Sequence, residues 1–79
     1  MNIKHMQKVT DGNTLLTLMD FAEDSIKSAQ ESLALYQQKH KSTIAGNTLQ
    51  VALGRVTQAL HRMEQAKKIV TFCKQELEK

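Results

Sequence analysis

The sequence predicts an all-α protein: an antiparallel two-helix hairpin, with a short N-terminal helix folded back on it, dimerising into a four-helix bundle. Three observations carry the prediction. Apolar residues recur at alternating steps of four and three along two long stretches, the coiled-coil pattern of a helix that packs on a helix. Gly12-Asn13-Thr14-Leu15 recurs as Gly46-Asn47-Thr48-Leu49, one copy at the head of each stretch. Proline is absent and only three glycines occur, so little interrupts a helix.

Residues 1–11 form an N-terminal segment or short helix, since Ile3, Met6 and Val9 recur every three residues and Asp11-Gly12 marks a turn. The first long helix is expected over about 13–43, with Leu15, Met19, Ala22, Ile26, Ala29, Leu33 and Tyr36 as its seam. Asn13 is its expected N-cap, because its side-chain oxygen can accept from the free amides of the first turn. Asp20, Glu23 and Asp24 precede Lys39 and Lys41, an order that suits the helix dipole.

The break falls within Lys41-Ser42-Thr43-Ile44-Ala45-Gly46. Gly46 is expected in the left-handed conformation that closes a helix, and Asn47 is expected to cap the next, with Gln50 completing a capping box. So short a connection makes the helices antiparallel neighbours. The competing form is a continuous rod in an exchanged dimer, because a glycine inside a helix costs only ~1 kcal/mol.

The second helix is expected over about 47–77. Leu49, Leu53, Val56, Leu60 and Met63 repeat the first seam at an offset of 34 residues. Beyond Met63 the apolar line moves to Ala66, Val70, Cys73 and Leu77, and Lys67 stands where strict repetition demands an apolar residue. The offset equals a tetratricopeptide period, but that repeat fits two helices into the length that one helix fills here.

Composition bounds the function. Seventy-nine residues make one small domain with a thin core, which helical proteins of this size often complete by pairing. No apolar run is long enough to span a bilayer and the N-terminus lacks a signal-peptide h-region, so a cytoplasmic protein without membrane contact is expected. Net charge is +3, divided as −1 over residues 12–41 and +3 over residues 46–79. That division suits two complementary helices better than a dense nucleic-acid patch.

No site for chemistry emerges. His5, His40, His61 and Cys73 are the soft metal ligands, and no pair has the spacing of a metal motif. Cys73 lies in the apolar line, where cysteine is usually a small hydrophobe. Glu23 and Asp24 are adjacent and diverge on a helix. Neither catalysis, a metal nor a cofactor is expected.

A second stripe on the C-terminal helix is more informative: Val51, Arg55, Gln58, Arg62, Gln65, Ile69, Phe72 and Glu76. A solvated face has no reason to carry Ile69 and Phe72. Leu18 and Phe21 lie off the main seam at the same open end of the hairpin. Leu18, Phe21, Arg55, Arg62, Ile69 and Phe72 are therefore the candidate partner-binding residues, with the two phenylalanines as anchors. Three covers suit such a surface: the N-terminal segment, a second copy of the chain, or another protein.

The expected function is a small helical protein-interaction module, an adaptor, regulator or chaperone-like subunit acting through an apolar helical surface. In size and shape it is similar to small bacterial helical co-chaperones and to phage or plasmid regulators, with no motif assigning it to any of them. The alternative is a basic homodimeric bundle that grips nucleic acid through Arg55 and Arg62.

Overall fold

The computed structural model describes residues 11–78. Two helices make up almost all of that span: α1, Gly12–His40, and α2, Ile44–Leu77. They pack against each other as a hairpin, and no strand occurs among the described residues. The N-terminal helix expected within residues 1–10, and any cover that it provides, lie outside the described residues.

Both helices start differently from the sequence expectation. Asp11, not Asn13, caps α1: its Oδ1 accepts from the Asn13 amide at 3.2 Å and its Oδ2 from the Thr14 hydroxyl at 3.2 Å. Thr43, not Asn47, caps α2: its Oγ1 accepts from the Gly46 amide at 3.0 Å. An aspartate or threonine in extended backbone just before the helix satisfies a first-turn amide with its side-chain oxygen, as asparagine does. The repeated tetrapeptide therefore falls inside both helices, opening at the first helical residue of α1 and at the third of α2.

Gly46 is not a left-handed terminator either. No described glycine has a positive φ. Gly46 is helical, and it is the one buried residue in either helix. It is needed for close approach: a Cβ there would collide with the His40 carbonyl oxygen and lie 2.6 Å from its carbon. Gly12 has a related use, since a Cβ on it would lie 2.9 Å from Cδ of Lys74.

Thr43 explains why the turn can be so short. Its hydroxyl donates to the His40 carbonyl at 2.7 Å, and its amide donates to the same oxygen at 3.0 Å. The same hydroxyl oxygen accepts from Gly46. One side chain thus closes α1 and opens α2, which is why α1 stops at His40 and α2 begins at Ile44, each about three residues before the expected boundary.

The seam matches the expected one in its first part and departs from it later. In α1, Leu15, Met19, Ala22, Ile26 and Leu33 are half-buried as expected. Ala29 and Tyr36 are exposed, and their neighbours Gln30 and Gln37 take the seam positions. In α2, Leu49, Leu53, Val56, Leu60, Met63, Ala66 and Val70 are half-buried. Lys67 and Lys74 continue that line, whereas Cys73 and Leu77 are exposed. Lysine and glutamine have stems long enough to cover apolar surface while their polar ends reach out, so they occupy seam positions without breaking the packing.

Candidate interaction surface

Successive residues of an α-helix are about 100° apart, so the residue before a seam residue and the residue after it lie on opposite sides of the hairpin. In an antiparallel pair, the residues that precede the seam on both helices share one broad face. Those that follow it share the other.

The following residues make a charged face. Asp20, Lys27 and Glu31 of α1 lie there with Thr57, Glu64 and Lys68 of α2. Polar bonds cross between the helices on this side. Gln30 Nε2 donates to Thr57 Oγ1 at 2.9 Å, and that hydroxyl donates to the Leu53 carbonyl at 2.9 Å. The Lys67 ammonium pairs with Asp20, and with Glu23 Oε2 at 3.5 Å. These partners hold the lysine above its ordinary pKa of 10.5, the hydrogen bond to Asp20 being the largest cause and partial desolvation opposing it. Glu23 also pairs with Lys27 at 3.5 Å on its own helix.

The preceding residues make a bare face. On α1 these are Leu18, Ser25, Ala29, Ser32 and Tyr36, and on α2 they include Ala59, Ile69 and Cys73, with the half-buried Ala22, Ala52 and Ala66 at the edge between this face and the seam. Two open grooves lie along it. Ile26, Ala59, Met63 and Ala66 line one together with Arg55, Gln58 and Arg62. Leu15, Ile69, Val70, Cys73 and Leu77 line the other, near the free end, together with Asp11, Gly12, Lys74 and Glu78. Arg55 and Arg62 are the only charged residues among those that precede the seam, and neither forms an ion pair among the described residues.

The six candidate residues are all exposed, but they do not form one patch. Leu18 is 45% exposed, Phe21 64%, Ile69 63% and Phe72 62%. Leu18, Arg55, Arg62 and Ile69 each precede a seam residue and belong to the bare face. Phe21 and Phe72 lie two residues past Met19 and Val70, about 200° round their helices, and point outward from opposite backs of the hairpin. Phe72 lines a third groove with Glu23, Glu64, Lys67, Lys68, Thr71 and Gln75 on the charged side.

Apolar exposure is also not confined to the free end, contrary to the sequence expectation. Tyr36 is 55% exposed and Val51 62% near the turn. The Gln30–Thr57 bond and the Asp20–Lys67 pair set the register between helices. Continued along the hairpin, it puts Leu18 level with Ile69 at one end and Tyr36 level with Val51 at the other. The bare face therefore extends from Leu18 and Ile69 as far as Tyr36, whereas Val51, two residues past Leu49, lies on the back of α2 as Phe72 does. Periodicity hid this, because it assigned Ala29, Tyr36 and Cys73 to the contact between the helices.

No helix among the described residues is long and apolar enough to cross a membrane. No group of three or more His, Cys, Asp or Glu side chains converges there as a metal site would. Neither a family model, nor a curated protein, nor a solved structure matches the chain.

Proposed function

We propose that the chain is a protein-interaction module, an adaptor or regulatory subunit that docks through its bare helical face and forms a four-helix bundle with whatever it binds. One observation carries this reading. None of the apolar side chains of the described residues is buried, while one side of the hairpin, from Leu18 and Ile69 to Tyr36, carries small and apolar residues with Arg55 and Arg62 as its charges. A helical pair of this kind gains its stability from packing against a further element, since intrinsic helix propensity alone is marginal. Helix-bundle packing is the mode that fits so long and flat a face.

The test is association measured by light scattering and by co-purification from the native host, with Leu18→Asp and Ile69→Asp as variants. Both substitutions put a charge on the bare face at solvent-exposed positions, so helicity by circular dichroism is expected to survive while association is lost. Full association in both variants refutes the reading.

A second reading rests on Arg55, Gln58 and Arg62 lining one groove. Two guanidiniums a heptad apart, without an ion pair among the described residues, suit phosphates. Titration with mixed-sequence DNA and RNA at two salt concentrations decides it: a phosphate grip weakens steeply with salt, and absence of binding at low salt removes this reading.

A further inference from the structure

Arg55 and Arg62 are the feature of the bare face that can choose between partners. They line one groove with Ile26, Ala59, Met63 and Ala66. They stand a heptad apart, about 10 Å along the helix axis. Neither has an ion pair among the described residues, and the hairpin brings no acid to them. Helix α2 carries no Asp or Glu from Ile44 to Met63. Glu64 is on the charged face, and Glu76 stands two heptads beyond Arg62, about 21 Å along the axis. The acids of α1 are equally out of place. Asp20 and Glu31 are on the charged face, Asp24 shares the side of Asp20 four residues before it, and Glu23 is paired with Lys27 and Lys67. The occupant of this groove therefore has to bring its own anions.

The number and setting of the two cations decide between a polyanion and a protein. Two guanidiniums neutralise two phosphates, against roughly six to ten in a strongly salt-dependent DNA binder. Phosphates also gain nothing from Ile26, Ala59, Met63 and Ala66. A helix of mixed apolar and acidic residues uses both parts of the groove. Its apolar side chains cover the aliphatic lining, and carboxylates a heptad apart reach the arginines, whose planar forks bind carboxylate with two parallel hydrogen bonds. Ala59 stands between the arginines, and Ser25, Ala29 and Ser32 lie across from it on α1. Side chains so short let another helix approach to the usual interaxial distance of about 8–10 Å.

We infer that the bare face docks an acidic amphipathic helix of a different protein, with two carboxylates one heptad apart set on Arg55 and Arg62. This rests on the reading of the bare face as an interaction surface and names the chemistry of its occupant. The apolar lining supplies the contact area, and the two charge pairs fix which helix is accepted and in which register. A partner helix with uncharged or basic residues at those two positions leaves both guanidiniums desolvated without a counter-charge, which is costly.

Three labelled synthetic peptides test the inference against the full chain by fluorescence anisotropy. Each is an amphipathic helix of three heptads with leucine and alanine on its apolar side. They are identical except at two flanking positions a heptad apart, which hold Glu, Gln or Lys. The Glu peptide is expected to bind at least about tenfold more tightly than the Gln peptide, the low end for close charge pairs at an interface, and the Lys peptide least of all. That advantage is expected to shrink at high salt and to vanish in the double variant Arg55→Gln, Arg62→Gln. Both side chains are exposed, so the double variant is expected to keep the helicity of the parent. Equal affinity for the three peptides, an advantage that survives the double variant, or no binding of any peptide overturns the inference. A DNA duplex or single-stranded RNA that binds more tightly than the Glu peptide also overturns it and gives the arginines to phosphates. The proposed function fails separately: if the peptide ranking fails while Leu18→Asp and Ile69→Asp still abolish association, the interaction surface stands and only its acidic partner falls.

Discussion

Gly46 lies against the main-chain carbonyl of His40, so close that a Cβ on residue 46 would fall 2.6 Å from the carbonyl carbon and 2.7 Å from Cα of Lys41. Backbone atoms cannot swing aside as a flexible side chain can. Gly46 is thus the residue that permits the chain to reverse within Lys41, Ser42 and Thr43. Its place in the repeated tetrapeptide has no bearing on helix capping.

Gly46→Ala is expected to destabilise the hairpin by about 3 kcal/mol, the upper part of the overpacking range. Gly54→Ala is the matched control: nothing lies within 4 Å of a Cβ there. That change removes the helix penalty of glycine and is expected to stabilise by about 0.8–1 kcal/mol. Urea unfolding followed by circular dichroism measures both, and equal effects of the same sign would refute the assignment of Gly46 to the turn.

The caps supply a second contrast. Asp11→Ala and Thr43→Ala are each expected to cost about 1 kcal/mol. Thr43→Ala is expected to cost the more, because that hydroxyl serves both helix ends. Asn13→Ala and Asn47→Ala, inside the helices, are expected to stay within about 0.5 kcal/mol of the parent. Thermal melts of the four variants rank them directly.

Lys67 gives the hairpin a dependence on alkaline pH. Its pKa is raised in the folded state, so its stabilising contribution is complete below the unfolded value near 10.5 and is lost as pH rises through the higher folded value. Lys67→Gln is expected to flatten the fall in melting temperature between about pH 10 and 12, the range in which lysines titrate. An unchanged pH profile in that variant would show that the pairs with Asp20 and Glu23 contribute nothing, as many surface pairs do.

These residues also show how much of the molecule was legible from sequence. Two long helices and the early seam through Leu15, Met19, Leu49 and Leu53 followed from apolar spacing, and the antiparallel order from the short connection between the helices. The later seam did not, because Gln30, Gln37, Lys67 and Lys74 are polar residues that pack by their stems. A count of apolar residues skips such positions and moves to the next apolar neighbour, hence Ala29, Tyr36 and Cys73. Those neighbours form a real stripe, but it faces away from the partner helix. Periodicity reports that a face is apolar and cannot report what it packs against. The caps were missed for a simpler reason: aspartate and threonine are capping residues too, and Asp11 and Thr43 stand only a few residues before the asparagines.

Of the candidate site residues, Leu18, Ile69, Arg55 and Arg62 share a face for a reason visible in the sequence. Each stands one place before a seam residue, at Met19, Val70, Val56 and Met63. Phe21 and Phe72 stand two places after one and are carried to the backs of the helices. The distinction needed the seam to be located to within one residue, and the polar seam positions obscured that.

The bare face as a docking surface is tested most directly by the association, in solution and on co-purification from the native host, of the parent chain and of Ala59→Glu. Ala59 is exposed, lines the groove with Ile26, and lies between Arg55 and Arg62 on the same helix. A glutamate there has arginines four residues before it and three after it, so it is compatible with the single hairpin. Under a docked helix it would be a buried charge. The parent is expected to associate, with itself or with another protein, and Ala59→Glu to stay at the single-chain mass of 8.9 kDa with equal helicity. A parent that binds nothing, or an Ala59→Glu variant that associates as the parent does, would contradict the account.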